Sequence, residues 1–292
     1  MPTSAPPATE LHLGRRRYDI TDRALVMGIL NRTPDSFFDK GATWDWSAFW
    51  ARAEHIVGEG ADILDVGAVK AGPGPEVTES EEMDRLLPAV EGRVQRCDLP
   101  VSVDTWRASV ARESFRAGAV LGNDISGFAD PDYLSVAAAS GAAVVATHIR
   151  LAPRVPDPEP VYADLVGEVS AFLVERAGRA LAAGIPPERV VVDAGLDLGK
   201  TAAQSLDLLR ASRALAGLGY PLLLSASNKT FLGVILDLEI TERREATAAA
   251  HALGIGLGCR VVRAHDVRGT GRVRDMLAAI LEARRAGILE VR

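Results

Sequence analysis

Eight short apolar runs, separated by longer segments of helical character, are the feature that most constrains the fold of this chain. The runs are rich in β-branched residues and almost continuously apolar, as in ADILDVG and RVVVDA. Strands of this kind are typical of a parallel sheet that is buried on both faces. The runs begin at Ala24, Ala61, Pro100, Ala119, Ala142, Arg189, Pro221 and Arg260.

The order of these segments predicts the fold class. Eight repeats of strand and helix, with no linker-like gap between them, indicate a single (β/α)8 TIM barrel over residues 18–292. An open, doubly wound sheet is the alternative.

Composition and charge exclude several classes of protein. The 292 residues carry a net charge of −6, so no basic footprint for nucleic acid or for a membrane surface is expected. Cys97 and Cys259 are too few for a disulfide framework and lack metal-ligand spacing. The proline- and alanine-rich residues 1–17 lack an apolar signal core and are expected to form a mobile, disordered tail. A soluble, cytoplasmic protein is expected.

Polar residues stand just past nearly every predicted strand. In a (β/α)8 barrel the active site lies at the carboxyl ends of the strands, so these side chains are expected to gather there. Taken singly, each has an ordinary explanation, such as Asp104 capping the helix that follows it. The set is Asn31, Lys70, Asp104, Asn123, Asp124, His148, Asp193, Lys229, Arg263 and His265.

Two glycine motifs resemble nucleotide-binding loops but depart from them. DAGLDLGKT has three residues between Gly195 and Gly199, where a phosphate loop needs four. A tight turn from strand to helix is the preferred interpretation, and nucleotide hydrolysis at the turn is a weaker alternative. GIGLGC, from Gly254, precedes a strand instead of following one and is expected to mark a helix end.

The first loop, MGILNRTPDSFFDKG from Met27 to Gly41, resembles the signature of the dihydropteroate synthases. The resemblance recurs in SVDTWRA, GNDISG, DAGLDLGK, SNKTFLG and VRAHDV, and it extends in order from about Leu25 to Ala283. It implies a (β/α)8 barrel. The implied reaction displaces pyrophosphate from a hydroxymethyl-dihydropterin with the amine of para-aminobenzoate and uses Mg²⁺.

The resemblance also implies roles for individual residues. Asp104, Asn123, Asp193 and Lys229 match positions that bind the pterin ring in the family. A pterin presents an edge of N–H donors that a carboxylate can accept in pairs. Arg263 and His265, with Asn31 and the Mg²⁺ that Asn31 would help to hold, match the pyrophosphate subsite. A homodimer formed through the last helices is implied as well.

The second loop departs from the family pattern. Where the family reads Gly-Glu-Ser-Thr-Arg-Pro-Gly, this chain reads AVKAGPG, so Lys70, Ala71 and Gly72 replace serine, threonine and arginine. Arg32 replaces a small apolar residue in the first loop. Lys70 and Arg32 are expected to restore the lost positive charge, on a loop that has few apolar anchors and should be mobile without ligand.

Further departures surround the position of the amine acceptor. Asn228 replaces an arginine, Thr230 replaces a serine, and Leu196, Asp197 and Leu198 replace a Phe-Gly-Phe pattern. Two hypotheses remain open: a transferase of the dihydropteroate synthase type with para-aminobenzoate or a changed acceptor, and a catalytically inactive paralogue that binds only pterin or an anion. In either case the standard reaction is expected to be slow or absent, because a misplaced amine loses attack geometry.

Overall fold

The computed structural model describes residues 7–33, 43–96 and 98–285 of the chain. An N-terminal hairpin of β1 (Glu10–Leu13) and β2 (Arg16–Asp19) precedes eight parallel strands that close into one barrel. The barrel strands are β3 (Leu25–Asn31), β4 (Ile63–Gly67), β5 (Val101–Asp104), β6 (Leu121–Asp124), β7 (Ala143–Thr147), β8 (Val190–Asp193), β9 (Leu222–Leu224) and β10 (Cys259–Ala264).

Helices follow the barrel strands along the chain. They are α1 (Trp46–Gly58), α2 (Glu79–Arg96), α3 (Ala108–Arg116), α4 (Tyr133–Ser140), α5 (Leu165–Ala182), α6 (Ala202–Arg210), α7 (Ser212–Ala216), α8 (Thr230–Leu236), α9 (Arg244–Gly256) and α10 (Val267–Arg285). Short 3₁₀ turns cover Pro187–Arg189 and Ile240–Glu242.

The closed strand order confirms the predicted barrel, and the open-sheet alternative is wrong. Neighbours run in the order β10, β3, β4, β5, β6, β7, β8 and β9, and β10 closes the ring on β3 with Val261 beside Leu25.

Close packing of the helices on the strands requires small residues at some contacts. At Gly28 a Cβ atom would lie 2.4 Å from Ile56 of α1, so only glycine fits there. The GIGLGC motif ends α9, as predicted.

The N-terminal hairpin closes one end of the barrel. Leu11, Leu13 and Ile20 are buried and pack with Leu25 and Ile63, which stand at the first residues of their strands. The mobile tail predicted for residues 1–17 is therefore wrong for residues 10–17, because alternate apolar side chains of this segment fill the amino-terminal end of the barrel. Residues 1–6 lie outside the described residues, and so does Cys97.

The interior of the barrel changes character along its axis. Near the hairpin the inward side chains are apolar, as at Met27 and Val191. Towards the carboxyl ends of the strands, inward positions carry charged or amide groups. This carboxyl-terminal face is called the mouth of the barrel below. Among the described residues, none of the helices combines the length and apolarity that crossing a bilayer requires.

Candidate functional site

A buried network of charged and amide groups occupies the centre of the mouth. Arg263 of β10 donates from Nε to Oδ2 of Asp65 at 2.6 Å and from a terminal nitrogen to Oδ2 of Asp104 at 3.0 Å. Asn123 of β6 donates from Nδ2 to the same oxygen of Asp65 at 3.2 Å. Four strands thus contribute one side chain each, and three of the predicted pterin- or anion-binding residues meet here.

Asp65 is the functional candidate that sequence reasoning missed. It stands in the middle of β4 instead of past its end, and it is fully buried with Oδ1 unpartnered among the described residues. A charge at an inward position of the apolar strand ILDVG was the available signal, because a buried carboxylate needs a partner. Its partners are Arg263 and Asn123.

Burial dominates the electrostatics of this network. It raises the pKa of Asp104 to about 7, and the charge of Arg263 opposes that rise. Burial disfavours the Arg263 cation, but Asp65 and Asp104 more than compensate and hold the pKa of Arg263 above its ordinary value. Asp104 can therefore change its protonation state near neutral pH while Arg263 stays charged.

Asp193 and Lys229 lie beside this network. Oδ1 of Asp193 accepts a hydrogen bond from the backbone N–H of Gly195 at 2.8 Å, and burial raises the pKa of this carboxyl. Nζ of Lys229 donates to the carbonyl of Leu196 at 2.7 Å, and burial lowers its pKa. Each group partly offsets the burial penalty of the other by its opposite charge.

A cavity of about 650 Å³ opens beside the network, and Asn31 and His265 both line it. Nδ1 of His265 is 2.9 Å from Oγ of Ser227, and Arg52 donates to the His265 carbonyl at 2.6 Å. Burial lowers the pKa of His265 to about 3, so the imidazole is neutral at pH 7. Arg263 does not line this cavity, because its guanidinium is directed to the two carboxylates.

The described residues contain no group of three or more His, Cys, Asp or Glu side chains that could hold a metal ion. The predicted ligand, Asn31, lines the cavity and has one amide oxygen to offer. Mg²⁺ commonly binds through few protein ligands together with substrate phosphates and water. The donor set therefore fits Mg²⁺ as a companion of a bound diphosphate and does not fit a site formed by protein alone.

Other strand-end residues serve the local structure. Asp124 accepts from the backbone N–H groups of Ser126 and Phe128 at 2.6 and 3.0 Å, which closes the turn after β6. Nδ1 of His148 is 2.9 Å from Nζ of Lys200, and this Nζ also donates to the Leu198 carbonyl at 2.9 Å. Lys200 is therefore engaged by its own turn and by the loop after β7, and the geometry does not support the nucleotide-hydrolysis alternative.

The second loop, residues 68–78 between β4 and α2, is held by three arginines. Arg85 donates to the carbonyl of Ala68 at 3.2 Å, and Arg107 donates to that of Val77 at 2.7 Å. Arg154 donates from its backbone N–H to the Ala71 carbonyl at 3.1 Å and from its guanidinium to the Pro75 carbonyl. The loop has more anchors than its sequence predicted. Lys70 is half-buried.

Comparison with known proteins gives the family of the chain. The family model described as "Pterin binding enzyme" matches residues 27–265. The chain belongs to this family. It is 40% identical over 262 residues to the dihydropteroate synthase of Bacillus subtilis (strain 168), covering 89% of this chain and 90% of that protein.

Two further relatives bear on the site. The chain is 46% identical over 265 residues to "Inactive dihydropteroate synthase 2" of Mycobacterium leprae (strain TN), covering 89% of this chain and 91% of that one. The crystal structure of the Yersinia pestis dihydropteroate synthase with a sulfonamide drug superposes with a TM-score of 0.88 at 34% identity, covering 95% and 99% of the two chains. The dihydropteroate synthase resemblance read from the sequence is thus confirmed.

Arg32, one of the departures from the family pattern, does not supply charge to the mouth. Its guanidinium lies over the ring of Trp46, 3.5 Å from the centroid, and donates to the Trp44 carbonyl at 2.5 Å. Desolvation by these neighbours lowers its pKa. The expectation that Arg32 restores the lost positive charge is wrong, because aromatic rings and backbone carbonyls already surround this cation.

Asp197, a second departure, joins two loops of the mouth. It has a left-handed backbone, with φ of 64°, and its Oδ2 accepts from the backbone N–H groups of Thr230 at 2.6 Å and Phe231 at 3.3 Å. Asp197 therefore caps the start of α8 from the loop after β8. Thr230 is exposed, and its backbone N–H is already satisfied by this carboxylate.

Proposed function

We propose that the mouth of the barrel binds 6-hydroxymethyl-7,8-dihydropterin pyrophosphate, and that the protein is a transferase of the dihydropteroate synthase type. The observation that carries this proposal is the buried network of Arg263, Asp65, Asp104 and Asn123, with Asp193 and Lys229 beside it. Several buried charges this close together destabilise the fold unless a ligand or a partner group pairs with them. The match to the pterin-binding family supports the same assignment.

The pterin ring and its pyrophosphate would occupy adjacent parts of the mouth. Carboxylates such as Asp193 and Asp104 accept the N–H donors of the pterin edge, while Asn123 and Lys229 supply donors to its acceptor atoms. Asn31 and His265 line the neighbouring cavity, which has room for the pyrophosphate. Neutral His265 would act there as a hydrogen-bonding group.

The reaction is a displacement at the methylene carbon of the pterin side chain. The amine nitrogen of the acceptor forms the new C–N bond, the C–O bond to pyrophosphate breaks, and the amine loses a proton. The protein's contribution is orientation of the two substrates and stabilisation of the departing anion. Mg²⁺, when bound with the pyrophosphate, would neutralise part of its charge.

A turnover assay with the pterin pyrophosphate and a panel of arylamines, para-aminobenzoate among them, tests the transferase. Calorimetry with the same pterin, with and without Mg²⁺, tests binding separately. We expect pterin binding that strengthens with Mg²⁺ and slow or absent turnover of para-aminobenzoate. A folded protein that fails to bind the pterin in either condition would contradict the proposal.

A catalytically inactive pterin-binding paralogue is the second candidate. The similarity to a mycobacterial protein named as inactive favours it, as do Lys70, Ala71 and Gly72 in the second loop. The variant Lys70→Ser/Ala71→Thr/Gly72→Arg restores the family residues. If it gains para-aminobenzoate turnover while pterin affinity stays unchanged, the altered loop accounts for the lost reaction. Turnover with another amine in the unmodified protein would exclude the inactive candidate.

We further propose a homodimer formed through the last helices, in the cytoplasm. Large apolar side chains are exposed along α8, α9 and α10, which supports an interface between two copies. They are Val234, Ile235, Leu236, Leu253, Met276 and Ile280. Light scattering should give twice the mass of the chain, and Val234→Asp/Met276→Asp should shift it to the monomer mass. A monomer in the unmodified protein would contradict this part.

A further inference from the structure

The contacts of Arg154 connect two distant sides of the mouth. Arg154 lies in the segment between β7 and α5, residues 148–164, and its partners Ala71 and Pro75 lie in the second loop after β4. In the barrel order β4 and β7 are separated by β5 and β6, whose ends carry Asp104 and Asn123. The two hydrogen bonds, called the Arg154 bridge below, therefore join loops that are not neighbours around the barrel.

The other two anchors of the second loop are local. Arg85 is on α2, which the loop leads into, and Arg107 precedes α3, which packs beside α2. Each is also ion-paired to a glutamate of α2, Arg85 to Glu81 and Arg107 to Glu82. Both therefore attach the ends of the loop to the elements next to it. Arg154 alone, among the anchors within the described residues, fixes the loop to the far side of the mouth.

The segment that carries Arg154 is itself braced. Arg150 makes two hydrogen bonds of 2.5 Å each to Asp157 within the segment. The hydroxyl of Tyr162 donates to the carbonyl of Gly199 at 2.7 Å, which ties the segment to the loop after β8. Arg154 also has a left-handed backbone, with φ of 68°, and its N–H donates to the Ala71 carbonyl. A rigid support thus presents both donors to the second loop.

We propose that Arg154 is a positioning residue that holds the second loop across the mouth and thereby controls ligand entry and the position of Lys70. The identity of the ligand rests on the proposed function, whereas the bridge itself does not. A guanidinium that donates to a backbone carbonyl can be lost without leaving a buried charge, so the bridge can open at small cost. Opening frees the central part of the loop while Arg85 and Arg107 keep its two ends attached.

Hydrogen exchange on the full chain tests the bridge without any ligand. Arg154→Gly keeps a residue that favours the left-handed backbone and removes only the side chain, and Arg154→Lys keeps the charge. We expect exchange of the residue 154 N–H, which donates to the Ala71 carbonyl, to be at least fivefold faster relative to its intrinsic rate in Arg154→Gly and intermediate in Arg154→Lys. Val155→Ala, an exposed neighbour in the same segment, is the control and should leave exchange unchanged. The unfolding midpoint should stay the same in all three.

Stopped-flow binding of fluorescent 6-hydroxymethylpterin then tests ligand entry. We expect Arg154→Gly to raise the association and dissociation rate constants together by at least threefold, with little change in their ratio. Unchanged exchange of the residue 154 N–H would overturn the proposal, and so would faster exchange with both rate constants unaltered. If exchange accelerates but the unmodified protein binds no pterin, the proposed function fails and the Arg154 bridge stands.

Discussion

The two sides of the barrel mouth are built by different means. On the side proposed for the pterin, charged side chains inside the barrel satisfy one another, as Arg263 does with Asp65 and Asp104. On the side proposed for the amine acceptor, side chains from loops satisfy backbone groups of other loops, as Asp197 does for Thr230 and Arg154 for Ala71 and Pro75.

This difference explains where the chain departs from its family. Replacing one member of a buried ion pair leaves the other charge unpaired, which is severely destabilising, so substitutions there need simultaneous compensation. A loop contact to a backbone carbonyl can be replaced by another donor from a different loop at little cost. Four of the departures read from the sequence, Lys70, Ala71, Gly72 and Asp197, fall on the loop-built side.

The largest expected effect is the loss of the Arg263 ion pairs. Arg263→Met should lower the free energy of unfolding by about 3–5 kcal/mol, because the buried carboxylate of Asp65 loses its cationic partner. Urea denaturation measures the loss. The control Arg116→Met breaks the exposed pair with Glu113 and should cost less than about 1 kcal/mol. Equal losses in the two variants would show that burial does not make the Arg263 pairs more costly to break than an exposed pair.

Asp193→Asn should weaken pterin binding about a hundredfold, because charge-assisted hydrogen bonds to a carboxylate contribute about 1.5–3 kcal/mol each. The fold should stay intact, since the change keeps the shape of the side chain. Calorimetry with the pterin measures the affinity, and circular dichroism checks the fold. Asp207→Asn, on the exposed surface of α6, is the matched control. Unchanged pterin affinity in a folded Asp193→Asn protein would remove Asp193 from the site.

Pterin affinity should rise about tenfold between pH 6 and pH 8, because Asp104, with a pKa of about 7, must lose its proton to accept from the ligand. The free energy of unfolding should change in the opposite direction, falling as the pH rises. A raised pKa means that the folded protein binds the proton more tightly than the unfolded chain, so the contribution of Asp104 is full below about pH 4 and is lost as pH rises through 7.

Calorimetry and urea denaturation over this pH range measure the two trends. Asp104→Asn should flatten both. An affinity that is independent of pH in the unmodified protein would show that Asp104 does not accept from the ligand in its ionised form.

The smallest expected effect belongs to Lys70, on the loop-built side. Lys70→Ala should weaken binding of the pterin pyrophosphate about fivefold and leave the bare pterin unaffected, because a half-exposed lysine contributes as a flexible point charge. Added salt should reduce the difference. Equal losses for both ligands, or no loss for either, would leave Lys70 as a surface lysine and favour the inactive paralogue.

The sequence alone predicted the barrel and most of the polar residues of its mouth. Eight apolar runs predicted the number of barrel strands. Because the active site of a (β/α)8 barrel lies at the carboxyl ends of the strands, Asp104, Asn123 and Arg263 were expected at one face, where they meet. Sequence reasoning overlooked Asp65, because it examined the ends of strands and not their inward positions. It also assigned residues 10–17 to a mobile tail, since a two-stranded hairpin this short has too weak a pattern to be recognised.

The order of residues along the chain was enough to predict the strands and the polar residues at their ends. Periodicity and strand-end position are properties of neighbouring residues along the chain. Only the tertiary structure decided which partner each charge meets. Arg32 and Arg263 are both arginines near strand ends, yet one lies over Trp46 and the other between two carboxylates. The Arg154 bridge joins residues about 80 positions apart, by contacts whose energy depends on distances that only the closed barrel sets.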